Sequence, residues 1–169
     1  MTVLDTERLR VRLIRLEDAD FILELLNDSA FVRFVGDKNV RTVEAAREYI
    51  LTGPLTSYSQ NGFGLWLVET KMTGLAVGLC GLLKRETLAD VDIGFAFLPP
   101  YRSLGYAFES ASAVFHYARE VLGIRRIVAI ANPDNTRSIR VLEKIGMTFE
   151  RTVRLSADGR EVQLLVSDA

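Results

Sequence analysis

Apolar residues recur along this chain at two spacings, every second position in some stretches and every third or fourth in others, which predicts a mixed order of strands and helices. Leu9 to Leu16 alternates apolar residues with arginines and reads as a strand. Glu17-Asp18-Ala19-Asp20 then supplies acidic helix-start residues ahead of Phe21, Ile22, Leu25 and Leu26. Thr42 is placed to cap a second helix running toward Ser59, which Gly53-Pro54 interrupts into two short pieces. Phe63 to Glu69, Ala76 to Lys84 and Val91 to Leu98 are three strands of an antiparallel meander. A long helix follows from about Leu104 to Val121, with Ala107, Ala111, Val114, Phe115, Ala118 and Leu122 on one stripe. Arg126 to Ala131 is a further strand, and Asn135 to Ile145 a helix closed by Gly146. Met147 to Leu155 and Glu161 to Val166 form a last hairpin around Ala157-Asp158-Gly159.

Strand, helix and strand between Val91 and Ala131 require a crossover, so those two strands are parallel neighbours in an otherwise antiparallel sheet. The expected class is therefore α/β, in the α+β sense: a mixed sheet of about six to seven strands with a parallel central pair and flanking helices. Within Val91 to Leu98, bulky Val91, Ile93, Phe95 and Phe97 share one face, and Asp92, Gly94 and Ala96 share the other. A carboxylate beside two small residues suits a closely packed helix, or the floor of a groove with room for a substrate.

Composition narrows the class. With 169 residues, about half of them apolar, and no Pro- or Ser-rich stretch, residues 1–169 are expected to form one domain. The 21 basic and 22 acidic residues nearly cancel and are interspersed, which argues against nucleic acid as the principal ligand. The N-terminus lacks signal and transit character and no apolar run approaches ~20 residues, so a cytoplasmic protein without a membrane partner is expected. Cys80, the single cysteine, sits among Gly, Leu and Val and reads as a buried thiol, with no neighbouring ligand for a metal. His116 falls off the apolar stripe of its helix and should face solvent, and Trp66 reads as packing.

The stretch with most chemistry is Tyr101-Arg102-Ser103-Leu104-Gly105-Tyr106-Ala107, which joins a strand to the long helix. The first turn of a helix offers unpaired N–H groups and a partial positive charge, and small residues let a diphosphate approach. Gly105 and Ala107 provide that access and Arg102 a fixed charge. A plain turn with small residues for packing would look the same in isolation.

Taken in order, Arg102-x-x-Gly-x-Ala107, Asn132-Pro-Asp-Asn-Thr-Arg-Ser138 and Glu143-Lys-Ile-Gly146 resemble the GNAT family of acetyl-CoA-dependent N-acetyltransferases. Thr6-Glu7-Arg8-Leu9-x-x-Arg12 and Asp158-Gly159-Arg160 resemble the branch that acetylates ribosomal-protein N-termini, and the similarity runs from about Thr6 to Val166. The resemblance implies acetyl-CoA as cosubstrate, no metal, and an amine acceptor: a protein or peptide N-terminus first, a small amine such as a polyamine, amino acid or aminoglycoside second. It also implies that the two parallel strands splay apart to take the pantetheine arm. A catalytically silent coenzyme-binding module is the reading from another class.

The implied site follows residue by residue. Main-chain groups at Phe97 and Leu98, the segment Arg102, Ser103, Leu104, Gly105, Tyr106 and Ala107, and Asn135 with Ser138 would hold the coenzyme. Asp92 stands where family members often carry a Glu, and would accept the amine proton, position a cationic substrate, or form a strand-end ion pair. An ordinary Asp, with a pKa near ~4, is a weak base unless it is buried or works through water. Asn135 also suits an N-cap for its helix. Many members carry a tyrosine as general acid where this chain has Leu142; the resemblance to members of the ribosomal-protein branch with a serine facing the sulfur implies the Ser138 hydroxyl as the donor instead. The aromatic-rich loop Phe31-Val-Arg-Phe-Val35, with Phe31, Arg33 and Phe34, is the candidate acceptor site. An exposed edge on the last strand would permit a homodimer.

Overall fold

The computed structural model describes residues 1–157 and 159–167. Asp158, expected at the tip of the last hairpin, lies outside the described residues. In chain order the elements are β1 (Thr2–Asp5), β2 (Leu9–Arg12), α1 (Ala19–Leu26), α2 (Ser29–Phe34), α3 (Val43–Ile50), α4 (Thr56–Asn61), β3 (Leu65–Thr70) and β4 (Ala76–Leu83). They continue as β5 (Val91–Phe97), α5 (Tyr106–Glu120), β6 (Ile127–Ala131), α6 (Thr136–Lys144), β7 (Thr148–Arg154) and β8 (Glu161–Ser167).

The strands form one eight-stranded sheet in the order β1-β2-β3-β4-β5-β6-β8-β7. Among the described residues β5 and β6 are its only parallel neighbours, as the crossover through α5 requires. The sheet has one strand more than expected. Thr2–Asp5 is too short to show a period, and becomes β1 by pairing with β2. β2 in turn stops at Arg12 instead of reaching Leu16. The Arg12 guanidinium binds Asp18 at 2.8 and 2.9 Å and Glu69 at 3.0 Å, and the Arg15 N–H donates to Asp18 at 2.7 Å, so the chain turns into α1.

Two expectations are corrected. Phe31-Val-Arg-Phe-Val35 is not a loop: residues 29–34 form α2, because the Asp28 carboxylate accepts the Phe31 N–H at 3.1 Å and caps the helix. Nor is the last strand an edge. The final hairpin folds back so that β8 lies between β6 and β7, which leaves β1 and β7 as the edges. The predicted break at Gly53-Pro54 is a widened turn over Leu51–Leu55 between α3 and α4, with Pro54 inside it.

α5 packs on one face of the sheet, where Ala111, Val114, Phe115 and Ala118 meet Trp66, Ile93 and Phe97. α1 and α3 cover the other face, with Ile22, Leu25, Ala46 and Ile50 against Leu67, Leu79 and Leu98. Trp66 is buried and meets the Tyr117 ring edge-on at 5.7 Å between centroids, and His116 is exposed. Cys80 is a buried free thiol whose pKa burial pushes up to about 12, Ser110 opposing. Among the described residues no helix is long and apolar enough to cross a membrane.

The feature that positions the site is the divergence of β5 from β6. Their pairing covers Val91 with Ile127 and Asp92 with Val128 only. β5 stays paired with β4 as far as Phe97. The Leu98 N–H donates to the Val77 carbonyl at 3.0 Å, so by alternation the main-chain groups of Ile93, Phe95 and Phe97 face away from β4, into the gap toward β6. Gly78 lets the two strands meet there: a Cβ on it would stand 2.4 Å from Phe97 Cδ1.

Candidate active site

A cavity of about 340 Å³ opens on the small-residue face of β5, beside the gap. Gly94 and Ala96 form its floor with Asp92, α2 contributes Phe31 and Phe34, and α6 contributes Ser138 and Leu142. Asn132 and Asn135 close one side, and Leu155, Gly159 and Arg160 of the last hairpin another. Asp92, Ser138, Asn135, Phe31 and Phe34 are thereby brought together. Arg33 is not: its guanidinium lies over the Phe34 ring at 4.7 Å, and its carbonyl accepts from Arg160 at 2.9 Å, tying the hairpin to α2.

Asp92 is the most unusual group in the cavity wall. Its side chain is 1% exposed, and its Oδ1 has no hydrogen-bond partner among the described residues. Arg85 Nε approaches the carboxylate at 3.3 Å, too long for a strong charge-assisted bond. Burial pushes the Asp92 carboxyl up to about 6, and the Arg85 charge pulls against that rise without cancelling it. The burial that a weak carboxylate base needs is present.

Asn135 caps α6, its Oδ1 accepting the Ser138 N–H at 3.4 Å, and still borders the cavity. Leu142 follows Ser138 on the same wall and is buried. The Ser138 hydroxyl is therefore the α6 group able to donate a proton there.

The expected diphosphate segment lies away from the cavity, and none of residues 101–107 borders it. Ser103, at φ 63°, and Gly105, at φ 84°, both take the left-handed conformation, which bends the chain sharply into α5. No side chain caps α5, so its first-turn N–H groups point outward without an internal acceptor. Ser103, Leu104 and Gly105 are exposed and Tyr106 and Ala107 half-buried. An uncapped helix start behind an exposed glycine fits a diphosphate. The diverging strand fits an extended amide-bearing arm in the same way, because the main chain of Phe95 and the N–H of Phe97 face the gap without a partner strand.

Arg102 differs from the expectation. Its guanidinium is engaged by Asp28 and donates from Nε to the Phe97 carbonyl at 2.9 Å, so its charge braces the protein rather than standing free. Leu98 is likewise occupied, its N–H by Val77 and its carbonyl by Tyr101, which leaves Phe97 with the amide turned to the gap.

Sequence reasoning missed four residues. Lys38, Tyr49 and Arg85 border the cavity from the α2–α3 connection, α3 and the β4–β5 turn. No period or motif marks them; only the packing of α3 and the β4 end over β5 brings them in. Arg8 was part of the opening motif without a role. It donates to the Leu104 carbonyl at 2.9 Å, pairs with Glu109 at 2.7 Å and lies over the Tyr106 ring at 4.6 Å. Thr6 adds a 2.6 Å bond to Glu109, so Thr6-Glu7-Arg8 latches the start of α5.

Comparison with known proteins agrees with this geometry. A family model described as an acetyltransferase (GNAT) domain matches residues 8–148. The protein YkkB of Bacillus subtilis (strain 168) is 31% identical over 158 residues, covering 90% of this chain and 89% of YkkB. The N-acetyltransferase YoaA of the same organism is 30% identical over 155 residues, covering 90% and 86%. Among solved structures, the ribosomal L7/L12 alpha-N-protein acetyltransferase RimL, in complex with coenzyme A, superposes with a TM-score of 0.85 at 16% identity, covering 99% of this chain and 98% of RimL.

Proposed function

Because this chain belongs to the GNAT family and is an N-acetyltransferase, we propose that residues 1–169 act as one domain that transfers an acetyl group directly from acetyl-CoA to a primary amine, in the first instance the N-terminal amine of a protein or peptide. The buried Asp92 carboxylate, whose Oδ1 has no hydrogen-bond partner among the described residues, carries the reading together with the divergence of β5 from β6 beside it. The acceptor class follows the likeness to RimL in fold and the opening and closing motifs of the sequence.

Acetyl-CoA supplies an activated thioester. The chain's own residues then have three tasks: to align the amine, remove its proton and stabilise charge on oxygen and sulfur. The first turn of α5, from Gly105 to Ala107, holds the diphosphate, and the main chain of Phe95 and Phe97 holds the extended arm. The amine nitrogen bonds to the acetyl carbon as the carbon–sulfur bond breaks. Its proton passes to Asp92, directly or through water, and the electron pair leaves on sulfur. The Phe97 N–H faces the gap as a donor to the acetyl oxygen. Ser138 donates a hydrogen bond to the departing thiolate, which, given a thiol pKa of ~8.5, leaves without full protonation and takes its proton from water afterwards.

Leu142 favours a second reading, a coenzyme-binding module without turnover, since it puts a hydrocarbon where many family members keep an acid. Free-thiol release separates the two. The protein is incubated with acetyl-CoA and a panel of peptide and small amines, and mass spectrometry identifies acetylated products. Acetylated peptide N-termini are the expected result; coenzyme binding without thiol release for any amine would support the silent module.

A further inference from the structure

The charge around the acceptor cavity is lopsided. Lys38, Arg85 and Arg160 border it, whereas Asp92 is the single carboxylate among its described lining residues. Arg85 is partly answered by Asp92 at 3.3 Å. Among the described residues neither Lys38 nor Arg160 forms an ion pair, and Arg160 donates to the Arg33 main-chain carbonyl at 2.9 Å. Lys38 is exposed at the rim, where partial desolvation and the Arg85 charge hold its ammonium below its ordinary pKa. A protein seldom gathers like charges around a concave, partly apolar site unless an anion shares it, because field lines concentrate there and the mutual repulsion is otherwise uncompensated.

Coenzyme phosphates do not account for these cations. The diphosphate segment at 101–107 does not border the cavity. The anion therefore arrives with the other substrate.

Building on the transferase reading, we infer that the acceptor is an amine with an acidic group close to it: Lys38 and Arg160 receive the acid while Asp92 receives the amine. Two sources share this chemistry, a free α-amino acid, whose carboxylate neighbours its amine, and a peptide whose first side chain is acidic. A polyamine is disfavoured, since each further ammonium would enter a cavity already carrying three cationic side chains.

The test is the rate of thiol release from acetyl-CoA by the whole protein in matched pairs. Alanine against alaninamide probes the free amino acid; Glu-Ala-Ala-amide against Gln-Ala-Ala-amide probes the peptide; spermidine is the cationic control. The acidic member of at least one pair should be preferred in kcat/KM by roughly tenfold or more, mostly through KM. The pair that responds identifies the source. Lys38→Gln and Arg160→Gln should each raise KM for the acidic acceptor and narrow the ratio within the pair, while KM for acetyl-CoA stays where it was. Lys38→Glu should invert the preference, which a loss of folding would not do. Equal rates in both pairs, or a preference for spermidine, would overturn the inference and leave the transferase standing. Thiol release with no amine at all would remove both.

Discussion

Asp28 and Arg102 lie 74 positions apart and share one charged contact, and through it the start of α2 is tied to the segment that starts α5. The same Asp28 oxygen accepts the Phe31 N–H at 3.1 Å, and Arg102 reaches on to the Phe97 carbonyl at 2.9 Å. One carboxylate thus holds α2 beside the cavity, the segment that starts α5 and the end of the diverging strand in register.

Removing it should loosen all three. Asp28→Ala loses a helix cap and strands the half-buried Arg102, a combined cost of about 2–4 kcal/mol, or a fall in melting temperature of roughly 5–15 °C for a chain of this size. Asp28→Asn keeps an oxygen for the cap and should recover part of that loss. KM should rise for acetyl-CoA and acceptor together in both variants, because the two sites share the brace. Differential scanning calorimetry and two-substrate kinetics measure this; a stability loss with unchanged KM values would show that the brace serves folding alone.

Much of this arrangement is legible in the sequence, for reasons of scale. The stripe from Ala107 through Ala111, Val114, Phe115 and Ala118 to Leu122 repeats over about four turns, so α5 and the crossover it forces are readable, and with them the parallel β5–β6 pair. Asp92, Gly94 and Ala96 likewise declare a narrow face by simple alternation. What is not legible depends on distant partners. Arg102 looks like a free charge until Asp28 is folded beside it, and Phe31 to Val35 looks like a loop until the same Asp28 caps it. Lys38 and Arg85 carry no local signal, since their place at the cavity follows from how a connection and a turn drape over β5. The last strand turned out internal because hairpin order in a sheet is set by tertiary packing, not by chain order.

Asp92 makes a pH prediction with a definite sign. Its carboxyl lies at about 6 in the folded protein, against 3.8 for the ordinary group. Between those values the folded state binds more protons than the unfolded one, so stability falls as pH rises from about 4 to about 6 and the full cost, on the order of 3 kcal/mol, persists above pH 6. With Asp92 as the proposed base, activity would require its charged form and the neutral amine, with a pKa of ~8 for an α-amine. A plot of log kcat/KM against pH should rise with slope near two below pH ~6, near one between pH ~6 and ~8, and level off above. Asp92→Asn should abolish the lower bend, reduce kcat/KM by roughly 10²–10⁴, and melt higher than the parent at pH 8, because a buried charge is gone. An unchanged bend in the variant would reassign the ionisation to another group.

Ser138 should matter far less. A hydrogen bond to a thiolate that needs no full protonation contributes about 1 kcal/mol, so Ser138→Ala should lower kcat by roughly three- to tenfold and leave KM for both substrates nearly unchanged. Steady-state kinetics read this directly. A larger drop, of a thousandfold, would mean that the hydroxyl is an obligatory proton donor despite its weak acidity.

Gly105 tests the coenzyme site itself. At φ 84° it occupies a conformation that a side chain rarely adopts, so Gly105→Ala carries a strain of about 1 kcal/mol. The new methyl would stand 3.2 Å from an Arg8 guanidinium nitrogen, the mobile end of a long side chain that can yield, so the fold should survive. The diphosphate is a different matter, because the methyl occupies the approach to the first turn of α5 and a carboxylate there would also repel it. Gly105→Ala should weaken coenzyme A binding by roughly tenfold, and Gly105→Asp by a hundredfold or more, with melting temperatures within a few degrees of each other. Titration calorimetry with coenzyme A alone separates the affinity change from any effect on turnover. If Gly105→Asp bound the coenzyme as tightly as the parent, the diphosphate would have to lie elsewhere, and with it the alignment of the thioester beside Asp92.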